Sequence, residues 1–288
     1  MDALDAAADA IAALGRRPLP WRPEFRPLSA RPAGIVAAVD GSSAVLVDNG
    51  GLWVVAHRAA CIRWPGSRAL EPQPVVTATT PADARELLRG LGADATPRSA
   101  EQFADALRSH AEHQAAVQAC RDLPRDALLL VDGALRGLPE REQRAADLLQ
   151  GAAKARGLRL VAVAKRSGLD AAGIPIVPRL ASLGPAGAWI CPVPERDAVF
   201  VARLHAQSPF AFRVDGTEED GARLVELSRD AAYPGYPYPL VVAHNTVALT
   251  GATTDRLREA LLDRVRRRGG DVRLVADFHD VLDRAVPG

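Results

Sequence analysis

Cysteine is scarce in this 288-residue chain: Cys61, Cys120 and Cys191 are widely spaced and odd in number. They support neither a disulfide framework nor a zinc site, and a reducing, cytoplasmic setting fits them. Lysine is scarcer still, present only at Lys154 and Lys165, with arginine carrying the rest of the positive charge. Genome base composition accounts for that bias better than chemistry does. No apolar stretch reaches the roughly 18 residues needed to cross a bilayer, so no membrane partner is expected. Asp2, Asp5 and Asp9 in the first helix-like stretch argue against a signal peptide. An excess of one charge is also missing. The net charge is +1, so any footprint for nucleic acid must be local. With 48% hydrophobic and 25% charged residues, the composition is that of a soluble globular protein, long enough for one large domain or two.

What is present is a repeated ending. Ile35-Val36-Ala37-Ala38-Val39 is followed by Asp40-Gly41-Ser42-Ser43, and Ala127-Leu128-Leu129-Leu130-Val131 by Asp132-Gly133-Ala134-Leu135. Short apolar runs bounded by turn residues read as strands buried on both faces. In neighbouring strands the two aspartates would lie roughly 5 Å apart. Carboxylates that close repel unless a proton or cation sits between them, and a divalent metal is the commonest reason to build such a pair. Asp-Gly is equally an ordinary turn dipeptide. A third copy, Asp215-Gly216, follows a run broken by Arg213 and illustrates the ordinary use.

Residues 2 to 14 place Leu4, Ala7, Ile11 and Leu14 at helical spacing. Five prolines between Pro18 and Pro32 then form an extended linker, giving an amino-terminal helix and linker over 1–24 and a single domain over 25–288. Residues 44 to 48 and 52 to 59 read as strands joined by a hairpin at Asp48-Asn49-Gly50-Gly51, completing an antiparallel meander. A helix follows over 99–121 with Ser99 as its N-cap, then the second Asp-Gly strand, a helix over 139–155 and a strand over 158–164. Residues 166–195 read as an irregular excursion, 198–204 as a strand, and 218–230 and 255–268 as helices. Right-handed crossovers would set the later strands parallel to the first. The fold class is therefore α/β, a ribonuclease H-like mixed sheet with a β-meander followed by alternating helices and strands, the first and fourth strands adjacent at the centre.

Further residues carry possible chemistry. Glu112 sits mid-helix and reads either as an inward third carboxylate or as an exposed residue on a solvated face. His110 and His113 lie at i and i+3 without a His-Glu-x-x-His pattern, which favours a solvated or lightly packed pair. Lys165 follows a strand and opens the loop Lys165-Arg166-Ser167-Gly168, where phosphate contacts accumulate or where a strand end is simply solvated. Tyr233-Pro234-Gly235-Tyr236-Pro237-Tyr238-Pro239-Leu240 is a stiff extended stretch, suited to stacking on single-stranded bases or to covering the core. His244, after Val241-Val242-Ala243, reads as a core histidine, a metal ligand or a proton donor near a scissile phosphate. Trp53, Trp64 and Trp189 read as core or as stacking rings, and the arginines from Arg264 to Arg268 complement a helix dipole.

From Ile35 to about Asp277 the chain resembles the NurA nucleases, which work with the HerA hexameric DNA translocase. The resemblance rests on Val39-Asp40-Gly41-Ser42-Ser43, Val131-Asp132-Gly133-Ala134-Leu135, Lys165-Arg166-Ser167, and Tyr236-Pro237-Tyr238-Pro239-Leu240 with Ala243-His244. Ala134 stands where the family's second motif usually has serine, so that turn lacks the hydroxyl. Glu112 falls where the family carries its helical acidic ligand. The resemblance implies a manganese-dependent nuclease, with magnesium as the alternative ion, cutting single-stranded DNA and degrading DNA ends from 5′ to 3′ in double-strand break end resection. Asp40, Glu112, Asp132 and His244 would hold one or two ions, Tyr236 would position the strand and Lys165 would offset phosphate charge. It also implies a homodimer docked on a HerA-like hexameric ATPase. Two rivals remain at this stage: a nucleotide-binding kinase or ATPase of the same fold, which would require an Asp-x-Gly-Thr type phosphate loop, and a catalytically silent scaffold for DNA or a translocase.

Overall fold

The computed structural model describes residues 3–66, 71–93 and 95–275. Asp2 of the expected first helix, residues 67–70 and 94, and residues 276–288 of the expected domain, Asp277 included, lie outside the described residues. In chain order the elements open with α1 (Ala3–Arg16), β1 (Arg26–Pro27), β2 (Val36–Asp48), β3 (Trp53–Trp64), β4 (Val75–Thr79), α2 (Ala84–Gly90) and α3 (Ala100–Asp122). Then come β5 (Leu128–Asp132), α4 (Glu140–Arg156), β6 (Arg159–Ala164), β7 (Asp170–Ala171), β8 (Ile174–Pro175) and α5 (Ile176–Leu183). The chain closes with β9 (Trp189–Pro192), β10 (Val199–Arg203), β11 (Phe212–Asp215), α6 (Glu218–Leu227), α7 (Tyr238–Val247) and α8 (Gly251–Arg267).

The chain packs as two compact units, each discontinuous in sequence. The first takes residues up to Ala38, Arg63–Pro65 and Asp122–Val241. Its strands run in the order β1-β9-β10-β11-β6-β5, and the start of β2 lies beside β5, where the Leu128 N–H donates to the Ile35 carbonyl at 2.9 Å. β5 and β6 are parallel, with Asp132 level with Val163. Every other pair in this unit's sheet from β6 outward is antiparallel. β10, the strand expected over 198–204, is antiparallel to β11 and β11 is antiparallel to β6, so β10 shares the direction of β5 and β6. β9 and β11, which were not expected, run the other way and make β9, β10 and β11 a second meander. Residues 166–195, expected to be irregular, contain α5 and β9. Trp189 and Leu180 from these two elements are fully buried in this unit's core with Val199 and Val201. Glycine and proline density hid a short amphipathic helix there.

The second unit takes Val39–Ile62, residues from Gly66 to Arg121, and those from Val242 onward. It holds the order β2-β3-β4, with β4 antiparallel to β3. The hairpin expected after β2 forms: the Asn49 side chain accepts the Leu52 N–H at 2.8 Å, and Gly50 takes the left-handed backbone (φ 81°) that this turn requires. Ser99 caps α3 by accepting the Gln102 N–H at 3.3 Å, and the Gln102 side chain accepts the Arg98 N–H in return. Phe103 and Leu107, one turn apart, then bury against Trp53, Val55 and Leu88. Burial of side chains of this size stabilises by about 1.5–3 kcal/mol each.

One expectation about β2 fails informatively. Asp40-Gly41 is no strand ending, because β2 runs through it to Asp48. The reason is burial: Val36 through Gly41 are all buried, and an extended glycine lets a helix approach the strand closely. The amino-terminal strand of the meander and its expected successor are thus one long strand, and β4 supplies the third. The fold is nonetheless the ribonuclease H-like mixed sheet anticipated, a meander, a helix and then the fourth strand beside the first. No helix among the described residues is long and apolar enough to cross a membrane.

Candidate active site

In the second unit, α3 and α7 bring side chains to the middle of β2. Asp40 is buried, its side chain 6% exposed, and its Oδ2 lies 2.9 Å from His244 Nδ1. The other carboxylate oxygen accepts the Gly41 N–H at 2.8 Å. His244 is placed by α7, not by the extended run its neighbours suggested. Pro239 sits in the first turn, where its missing N–H costs nothing, so the Tyr-Pro stretch ends as helix. With Nδ1 committed to Asp40, Nε2 is the ring nitrogen available to a proton or a metal, and the ring is about half exposed.

Glu112 projects from α3 onto Gly41. A β-carbon at Gly41 would sit 2.7 Å from Glu112 Cγ and Oε1, so the absence of a side chain is what admits the glutamate beside Asp40. Glu112 is not on a solvated face: it is 22% exposed and its Oε1 accepts from Arg108 Nη1 at 2.7 Å, one helical turn away. Burial opposes the Arg108 charge, but Glu112 and Asp105 override it and raise that guanidinium's pKa. His113 and His57 lie half-buried, and burial, with His110 nearby, holds both below the ordinary histidine range.

In the first unit, Asp132 closes β5 and Lys165 follows the parallel β6. That register lets the ammonium reach Asp132 Oδ2 at 2.8 Å. The pair is partly exposed and contributes little to stability; its value is in placement. Lys165 Nζ also lies 5.3 Å from the centre of the Tyr236 ring, which packs edge-on against Phe212 at 5.1 Å. Tyr238 packs likewise on Trp64. The rings of this loop are therefore engaged with protein neighbours, while Tyr233 is exposed. Trp53 and Trp189 are core residues.

Among the described residues no group of three or more His, Cys, Asp or Glu side chains is arranged to hold a metal ion. The donors nevertheless suit a hard divalent cation: two carboxylates and an imidazole share one unit, and a glycine cradle admits the second carboxylate. Arg108 and Lys165 supply the positive charge against Glu112 and Asp132.

The NurA family model matches residues 34–172. The chain carries a NurA domain. That domain spans just under half of the chain. Asp40, Glu112, Asp132 and Lys165 lie within the NurA match, while Tyr236 and His244 lie beyond it. No curated protein matches the chain. Among solved structures it is similar to the catalytic domain of human endonuclease V, at 16% identity over 90% of this chain and 97% of that one, with a TM-score of 0.42. Endonuclease V of Streptomyces avermitilis gives 16% identity, 90% and 95% coverage and a TM-score of 0.36. Argonaute of A. aeolicus gives 10% identity over 76% of this chain and 29% of that chain, with a TM-score of 0.33.

Several residues around the NurA motifs were not legible as functional. Ser42 Oγ accepts the Leu249 N–H at 3.0 Å, and buried Arg58 donates to the carbonyls of Val247 and Ala248, both at 2.7 Å. These bonds fasten the carboxyl end of α7, the helix that carries His244. Asp215, taken for an ordinary turn residue, is 1% exposed. It pairs with Arg213 at 2.7 Å and accepts the N–H groups of Leu135 (2.8 Å) and Arg136 (3.0 Å), just beyond Asp132. The available signal was the i, i+2 spacing of Arg213 and Asp215, which puts both side chains on one face of a strand.

Proposed function

We propose that the protein is a divalent-metal-dependent DNA nuclease using manganese, with magnesium as the alternative, in one or two ions. The observation that carries this reading is the Asp40–His244 contact of 2.9 Å with Glu112 seated on the adjacent Gly41. Asp40, Glu112 and His244 are the ligands assigned in the second unit, and Asp132 is the further carboxylate assigned to the same chemistry. When bound, a divalent ion supplies Lewis-acid polarisation of the phosphodiester. Asp40 holds the imidazole by Nδ1, so that Nε2 joins the ligands or delivers a proton to the leaving oxygen. Lys165 offsets charge on the phosphate and Tyr236 positions the strand. Manganese(II) should raise the melting temperature of the wild-type protein and leave that of an Asp40→Asn variant nearly unmoved, because a ligand stabilises only the state that binds it. Equal shifts in both proteins would remove Asp40 from the metal site.

The finer reading is a single-strand endonuclease and 5′-3′ exonuclease, acting in the cytoplasm on DNA ends in end resection for double-strand break repair. It works as a homodimer with a HerA-like hexameric translocase, residues 25–288 forming the nuclease body and 1–24 an appended helix and linker. What supports an appended role is exposure: Leu4 and Ile11 of α1 are 77% and 71% exposed. An amphipathic helix this short is marginal unless it buries its stripe. Deleting residues 1–16 should preserve cleavage of short single strands and weaken dimerisation or translocase binding, read by light scattering and co-purification. A truncated protein that stays dimeric and still binds the translocase would place the interface elsewhere.

A further inference from the structure

Beyond Asp132 the first unit holds a cavity of about 340 Å³ lined by Arg136, Gly137, Gln143, Glu195, Arg196 and Asp197. Its floor is unusually well fixed. The buried Asp215 carboxylate accepts the Arg136 N–H, and Arg213 donates to the Arg136 carbonyl, so the main chain is gripped from both sides. Arg136 Nε is buried and has no hydrogen-bond partner, a desolvated cationic donor lacking an acceptor. Across from it, Arg196 lies over Gly137, which has φ 61°; a β-carbon there would stand 2.6 Å from Arg196 Nη1. Arg196 is presented by a turn in which Glu195 (φ 60°) and Ala198 (φ 54°) both adopt the left-handed backbone conformation that non-glycine residues avoid. Strain of this kind persists where the surroundings over-determine it, often at ligand sites.

We propose that this cavity is a phosphate subsite for the nucleic-acid strand, with Arg136 and Arg196 gripping a backbone phosphodiester away from the one that is cut. The proposal rests on the nuclease reading above. A guanidinium offers paired donors matched to phosphate oxygens, and the Arg136 Nε–H supplies the donor that now lacks a partner. Four residues separate Arg136 from Asp132, so their Cα atoms lie within about 14 Å. The phosphate held is therefore a near neighbour of the scissile one along the strand. Glu195 and Asp197 are exposed on the same turn and oppose a bound anion, weakening the subsite enough for a strand to move through.

The test is binding of a labelled single-stranded oligonucleotide over a range of salt, using the full chain with Asp40→Asn to prevent cleavage. Arg136→Gln and Arg196→Gln should each weaken binding about tenfold at low salt and flatten the salt dependence by about 0.7 in log–log slope, the loss of one phosphate contact. Glu195→Gln with Asp197→Asn should tighten binding, and these exposed positions carry the test even where Arg136→Gln fails to fold. Affinity and slope unchanged in Arg196→Gln and in the acidic double variant, with the parent still binding, would overturn the subsite alone. A parent and wild type that both fail to bind single strands would overturn the nuclease reading and the subsite with it.

Discussion

An Asp40→Asn protein is expected to fold normally and to lose cleavage on the order of a thousandfold or more. Asparagine keeps the shape of the side chain. Its oxygen can still accept the Gly41 N–H, and its amide can donate to His244 Nδ1, so the two contacts that fix Asp40 survive the change. What disappears is the negative charge, and with it the strongest donor for a divalent ion. The structure also revises what the apo protein should show. Mutual repulsion between bare carboxylates would make their removal stabilising, but Asp40 faces His244, Glu112 faces Arg108 and Asp132 faces Lys165. The melting temperature without metal should therefore change little. Kinetics and thermal unfolding of the same preparation separate the two effects, and full activity in this variant would remove Asp40 from the chemistry.

Gly41→Ala should be nearly as damaging to activity, though it deletes no functional group. The new methyl would stand 2.7 Å from Glu112 Cγ and 3.1 Å from Arg108 Cγ. The helix cannot simply withdraw, because Phe103, Ala104 and Leu107 hold it in the core with Trp53. The glutamate must swing away, taking its carboxylate from beside Asp40. We expect cleavage to fall about a hundredfold and stability by about 1–3 kcal/mol, the usual cost of overpacking. Gly133→Ala provides the contrast. It meets nothing within 4 Å, but its φ of 111° makes any side chain strained, so it should lose stability without displacing a carboxylate. A fully active Gly41→Ala protein would show that Glu112 does not act from its present position.

Much of this was legible in the residues because burial and periodicity report directly on local structure. The apolar runs before Asp40 and Asp132, the Asn49 hairpin and the Ser99 cap each dictate their element. Non-local pairing was less legible. Nothing near Asp40 announces that β2 continues through Gly41, since that depends on α3 packing there from far along the chain. The Tyr-Pro stretch reads as extended because proline opposes helix interiors, yet Pro239 is compatible with a first turn and α7 begins there. Asp215 looked like a turn residue because its partners Leu135 and Arg136 are distant in sequence. Glu112 was ambiguous for the same reason: the glycine that receives it lies on another element.

The most direct test is cleavage of a labelled single-stranded DNA by the full chain, measured with manganese, with magnesium and with EDTA, beside the Asp132→Asn variant. Cleavage is expected with manganese, none with EDTA, restoration when manganese is returned in excess, and a loss on the order of a thousandfold in the variant. Cleavage that persists in EDTA, or an Asp132→Asn protein as active as the wild type, would refute a metal-dependent nuclease built on these carboxylates.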